Sequence, residues 1–284
     1  MNRSEARAYL IGLLLCGLFA LHDGVALDIA AVLAIALIGT PHGAADALRL
    51  LAAARGRDGI RWGRFAALNA LYLAIAAAVW WLFLRWPAAA LAIFVAISGL
   101  HFAATDIAAE RARGDGRGAA VTGWVAIAAP FVLWQSQIVP WLTWLGLTPA
   151  QATAFSPALA GGVVIAALGW ALGRTLPARR LPTALWVAVP SVLLPPAAGF
   201  ALYFCAVHAV RHWAHLRVEG RPLPWRPVAL TMVATLALAG GLLWMHEDGA
   251  LAPRLVQVVV IGLAALTVPH MLLDAWARRA AKGR

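Results

Sequence analysis

Charge is scarce in this sequence, and acid is scarcer still. Only 12% of its 284 residues are charged, with 12 Asp and Glu against 23 Lys and Arg, and there are only 2 cysteines. Soluble domains carry about 25% charged residues. A chain that is 63% hydrophobic cannot clothe its own surface in polar groups, so lipid becomes the solvent for much of it. Cys16 and Cys205 both lie in apolar segments; they exclude a disulfide framework and a Cys-based metal motif, and read as buried reduced thiols. Period-2 alternation of apolar and polar residues is also lacking, which favours helices over a β-barrel. No long polar linker interrupts the chain, so residues 1–284 read as a single transmembrane domain, although length alone would allow about two.

What the sequence does contain is a series of long Ala/Leu/Val-rich runs. Ten apolar segments are legible, at 8–22, 25–48, 64–86, 88–109, 119–139, 151–172, 183–198, 199–216, 227–245 and 254–277. Runs of this length favour helices that pair their own backbone groups. The first has Arg3 and Arg7 in front of it, as a signal peptide would. No clean cleavage site follows and a second apolar run begins at once, so it reads as a first helix. The seventh and eighth meet at Pro195-Pro196, a helix stop. The fold class expected is therefore all-α, a polytopic transmembrane bundle of about ten helices.

Threading the chain with both termini in the cytoplasm sorts the basic residues. Arg3 and Arg7, Arg49 to Arg64, Arg111 to Arg117, Arg174 to Arg180, Arg211 to Arg226 and the Arg278–Arg284 tail all fall inside, and only Arg85 and Arg254 fall outside. That puts 21 of the 23 Lys and Arg on one side, the bias of cytoplasmic loops in a multi-pass protein of the bacterial cell membrane. The net charge of +11 is then a topology signal and a contact for anionic lipid, not a nucleic-acid footprint. Trp80, Trp81, Trp86, Trp134, Trp141, Trp144 and Trp244 fall near the outer interface, and Trp62, Trp225 and Trp276 near the inner one, where aromatic rings anchor.

Eight histidines remain to be placed. His22 and His246 sit at the outer ends of helices and read as interfacial; His215 is beside the basic edge and reads as solvated. The other five lie on four segments running from outside to inside. His42, His101, His208 and His270 precede the basic residues Arg49, Arg111, Arg217 and Arg278 by seven to ten positions, which puts them roughly 10–15 Å from the cytoplasmic edge. His212 is one turn beyond His208, on the same helix face. Intramembrane polar groups at a common depth turn toward the bundle interior, and neutral imidazoles ligate iron, copper, zinc or nickel. A shared metal is the sharper reading; helix–helix hydrogen bonding is the plainer one. Asp46, Asp106 and Asp274 lie about one turn from His42, His101 and His270. They suit either a histidine's second N–H or arginines at the inner interface.

These segments resemble those of a known family. IGTPHGAADAL resembles the G-x-PHG-x-x-D signature of the Brp/Blh β-carotene 15,15′-dioxygenases, GLHFAATD that family's second histidine segment, YFCAVHAVRHW its H-x-x-x-H helix, and LTVPHMLLD its C-terminal Pro-His-Met segment. The four motifs run in the family's order from residue 39 to residue 274. The resemblance implies a membrane-embedded non-haem iron enzyme that splits β-carotene at its central double bond with O2, giving two retinals. It implies Fe(II) held by His42, His101, His208 and His212, with His270 in a neighbouring role and no catalytic residue beyond the metal ligands. Val207 and Ala209 depart from the Trp or Ser that the family often carries beside the first histidine of the pair. Phe102, Tyr203, Phe204 and Trp213 flank the candidate ligands, as helix packing or as walls for a polyene.

A divalent-metal transporter is the strongest rival. HFAATD fits H-x4-D of a nickel/cobalt permease signature, but Ile107 stands where its next histidine belongs. Transport also wants acidic relays across the full membrane thickness, and the carboxylates here gather in the inner half. A b-type cytochrome pairs histidines on two helices, which four segments match poorly. A purely structural bundle is the remaining alternative.

Overall fold

Helix is nearly the whole of the computed structural model over its described residues, which are 3–20, 24–39, 43, 45–56, 58–111, 119–158, 193–212, 225–245 and 250–282. Alanine and leucine are the strongest helix formers, and a helix satisfies its own amides and carbonyls where water is absent. The elements are α1 (Arg3–Ala20), α2 (Gly24–Ala34) running into a π turn (Ile35–Gly39), α3 (Asp46–Ala54), and a minimal hairpin of β1 (Arg55–Gly56) and β2 (Gly59–Ile60). Then come α4 (Trp62–Arg85), α5 (Pro87–Arg111), α6 (Ala119–Leu133) and α7 (Gln135–Trp144). Residues 149–158 are helical. The last elements are α8 (Pro196–Tyr203), followed by a second π turn (Phe204–His208), α9 (Trp225–Met245) and α10 (Leu251–Lys282). The hairpin is antiparallel, pairing Arg55 with Ile60 and Gly56 with Gly59. Gly59 takes φ +121° there, a backbone setting that favours glycine.

Among the described residues three stretches, Trp62–Arg85, Pro87–Asp106 and Leu251–Ala277, are long and apolar enough to cross a membrane. On α4 the side chains of Leu71, Leu73 and Leu84 are 58%, 64% and 65% exposed. So apolar an outer face suits lipid and would be a liability in water. The expected segments 64–86, 88–109, 227–245 and 254–277 correspond to α4, α5, α9 and α10.

The segment 25–48 contributes α2 with its π turn and α3, and residues 40–42 and 44 between them lie outside the described residues. One expected span is broken among the described residues. The segment 119–139 turns through 95° between α6 and α7. Trp134 is the joint. Its N–H closes the last turn of α6 on Pro130 O at 3.0 Å, and its carbonyl opens the ladder of α7 by accepting from Gln137 and Ile138. Pro130 and Pro140 each remove a ladder bond on either side. The Pro195-Pro196 stop appears as expected: α8 starts with Pro196, and Pro195, at φ −49° and ψ 150°, caps it. Segment 183–198 lies mostly outside the described residues, as do His22, His42, Trp213, His215 and His246.

The chain divides into two compact units. The first comprises Met1–Gly39, Val95–Thr143 and Leu147–Pro222, and the second Thr40–Phe94, Trp144–Gly146 and Leu223–Arg284. In the first, α8 packs against α1, α2 and α6, and the two π turns pack on one another. Every residue of α8 except Phe200 is buried. Cys205 Sγ donates to Ala34 O at 3.3 Å, tying the second π turn to the end of α2; Cys16 lies in α1 and forms no disulfide. In the second unit α10 lies along α4, and α3 packs on α4, α9 and α10.

Candidate metal centre

His101 is carried by α5 beside a place where α6 touches it. A Cβ built on Gly99 would sit 2.5 Å from Trp124 Cε3, and one on Gly123 would sit 2.8 Å from Phe102 Cβ and 2.9 Å from Ala103 N. The two helices therefore touch through glycines on either side of the His101-Phe102 turn. A methyl group at either position would force a shift, of the Trp124 side chain at Gly99 and of helix backbone at Gly123.

His208 reaches the same place from α8. The π turn Phe204–His208 adds one residue to a helical turn, a device common at functional sites. With that turn in place Phe200, Phe204 and His208 stack in file: the first two rings are 5.3 Å apart at 12°, the next two 5.8 Å apart at 11°. The His208 ring lies 4.3 Å from Phe102 and 5.2 Å from His101. His101 is 4% exposed, His208 0% and His212 4%. His212 follows His208 by one regular turn, on the same side of the helix.

Of the four histidines singled out in the sequence, the structure thus brings His101 and His208 together and buries His212 beside them in sequence. His42 lies outside the described residues. Among the described residues there is no group of three or more His, Cys, Asp or Glu side chains arranged to hold a metal ion. The donor chemistry nevertheless suits a borderline metal such as iron: neutral imidazoles are good ligands for it, and here they are enclosed by phenyl rings that keep water out.

The aspartates serve partners that the sequence left open. Asp106, fully buried, accepts a hydrogen bond from the Tyr203 hydroxyl at 2.8 Å and one from Arg211 Nη1 at 2.7 Å. In the second unit Asp46 Oδ2 is 2.8 Å from His270 Nδ1, and the Tyr72 hydroxyl lies 3.1 Å from that oxygen and 3.3 Å from Leu266 O. Arg49 bridges Asp46 Oδ1 at 3.4 Å and Asp274 Oδ1 at 3.1 Å. Arginine pairing accounts for Asp106 and Asp274, whereas Asp46 does both things: it holds a histidine and meets an arginine. The histidine it holds belongs to the last motif, not to its own.

Sequence reasoning missed two of these roles. Arg211 counted there as one more basic residue of the cytoplasmic edge, yet it is only 6% exposed. Its position one residue before His212, inside an apolar run, was the available signal. Tyr203 stood there only as a flanking aromatic, and its hydroxyl engages Asp106.

A protein-family model described as β-carotene 15,15′-dioxygenase matches residues 33–278, a span that includes His42, His101, His208, His212 and His270. The chain is 28% identical over 270 residues to a β-carotene 15,15′-dioxygenase of the uncultured marine bacterium 66A03, covering 87% of this chain and 92% of that one. It is 27% identical over 297 residues to a protein of Halobacterium salinarum named probable β-carotene 15,15′-dioxygenase Blh, covering 86% of this chain and 82% of that relative. No solved structure matches.

Proposed function

Because the chain belongs to the β-carotene 15,15′-dioxygenase family, we propose that it cleaves β-carotene at the central double bond with O2, as a multi-pass protein of the bacterial cell membrane. The observation that carries the reading at the level of residues is the enclosed imidazole pair, His101 and His208, with ring centroids 5.2 Å apart. His42, His101, His208 and His212 are the proposed ligands of Fe(II). When bound, the iron supplies O2 activation. In the overall reaction the carbon–carbon double bond and the O–O bond break and two carbonyls form. No proton is gained or lost, so no acid–base residue is needed beyond the ligands. The protein's part is to hold one double bond in place and to exclude water. Phe102 and Phe204, buried against His208, do the second. The bilayer-soluble substrate reaches such a site from lipid. A metal-transport reading gains nothing from Asp46, Asp106 and Asp274, each committed to an ion pair or a histidine.

The test is expression in a β-carotene-producing bacterial host. The orange colour should fade and retinal should appear in the extract. If carotenoid persists while the protein is in the membrane and loaded with iron, β-carotene cleavage is wrong.

His270 is read as a neighbour of the ligand set, tied into the Asp46–Arg49–Asp274 network. His270→Ala should keep its iron while losing about 1–3 kcal/mol of stability, the cost of stranding a buried partner. Iron analysis of the purified variant checks this; an iron-free protein that is still folded would bring His270 into the ligand set.

A further inference from the structure

The proposed reaction makes no use of Asp106, Tyr203 or Arg211, yet these three interleave with the proposed ligands. Asp106 lies five residues after His101 on α5, Tyr203 five before His208, and Arg211 directly before His212. Asp106 is 0% exposed, Tyr203 0% and Arg211 6%. Buried ion pairs contribute little net stability compared with apolar residues of the same size, so bracing alone is a weak reason to keep one here. Position supplies a better one. A guanidinium keeps its proton in any protein setting, and in an interior of low dielectric its field is poorly screened. By helix rise alone, Asp106 is roughly 7–8 Å along α5 from His101. A bare guanidinium in this place would oppose the binding of a divalent cation by neutral imidazoles, which bring no negative charge of their own.

Resting on the four-histidine reading, we infer that Asp106 is a positioning and charge-cancelling residue of the metal centre. Its carboxylate, 2.7 Å from Arg211 Nη1, neutralises the guanidinium, and the Tyr203 hydroxyl at 2.8 Å fixes the second oxygen.

The sign of the effect separates this role from a plain brace. A brace is broken equally by removing either partner. Charge cancellation is asymmetric: loss of the carboxylate harms metal binding, loss of the guanidinium does not, and loss of both restores it. The experiment titrates the purified full-length chain in detergent with Fe(II) under anaerobic conditions, with melting temperature followed in parallel. Asp106→Asn should weaken Fe(II) binding about 10–100-fold, the effect of an uncancelled positive charge several Å from a divalent ion in a partly screening interior. Arg211→Gln should bind Fe(II) as well as wild type or better, and Asp106→Asn with Arg211→Gln should recover most of the loss. Undiminished binding by Asp106→Asn, an equal loss in Arg211→Gln, or a double variant worse than Asp106→Asn would each overturn the inference. If Asp106→Asn does not fold, Arg211→Gln decides alone, because a brace predicts that it loses iron. A wild-type chain that takes up no Fe(II) would sink the four-histidine reading and this inference together; uptake by wild type with unimpaired Asp106→Asn would sink the inference only.

Discussion

Replacing His208 by alanine is expected to reduce both bound iron and retinal formation to background. The residue is fully buried, with its ring against Phe102, Phe204 and His101. Truncation therefore removes a proposed ligand and also leaves a cavity, which for a large buried side chain costs about 3–5 kcal/mol. The two effects are separable. His208→Phe keeps a ring in the file behind Phe204 and offers no lone pair, so it should melt near the wild-type temperature while holding no iron and forming no retinal. His101→Phe should behave in the same way. Metal analysis, chromatography of retinal and thermal melting on the same preparation read the three quantities. A His208→Phe protein that retains full iron would strike His208 from the ligand set.

The second large effect is expected at Gly123, which offers no donor of its own. A methyl group there would lie 2.9 Å from Ala103 N and 3.0 Å from Phe102 C. These are backbone atoms within a helix and cannot swing aside, so α6 must move off α5. Overpacking of this kind costs about 1–3 kcal/mol. It also displaces His101, and a misplacement of about 1 Å at a reacting centre can lower the rate by about 100-fold. Gly123→Ala should accordingly lose most of its activity before it loses its fold. Gly17→Ala is the control, since a Cβ on Gly17 meets nothing within 4 Å and alanine is the better helix former by about 1 kcal/mol. Equal activity in the two variants would show that the contact between α5 and α6 does not set the site.

Much of this fold is legible from hydrophobic length alone. α4, α5, α9 and α10 appear where apolar runs of span length occur, and α8 begins at the proline pair. The break is less legible. The 95° turn at Trp134 depends on where a freed carbonyl finds its next partner, and a proline inside an apolar run warns of this without locating it. The candidate site divides in a similar way. Burial of His101, His208, His212 and His270 follows from the cost of a polar ring among apolar neighbours, and the structure bears it out. Pairing does not follow. Asp46 looks like the companion of His42 by spacing but holds His270, 224 positions away. Arg211 looks like an edge residue by its charge but is buried on Asp106. Side-chain partners across helices are set by rotation about the helix axis, and an Ala/Leu-rich helix with no apolar stripe leaves that rotation unmarked in the sequence.

The π turn at Phe204–His208 carries a last consequence, which concerns reading frame in space. A π turn is one residue longer than a helix of that rise requires, so it works as a stored insertion. Deleting Val207, for instance, would let the helix revert to regular pitch with no loss of backbone bonding. Everything C-terminal to the deletion would keep its setting about the axis, because five residues of a π turn cover about the rotation and rise of four in an α-helix. His208, Arg211 and His212 would stay on their present side together, and only residues within the turn would be re-aimed. A single-codon deletion is thus a change that a descendant of this chain could absorb at the turn itself, whereas the same deletion in a helix with no such turn would swing everything beyond it by about 100°.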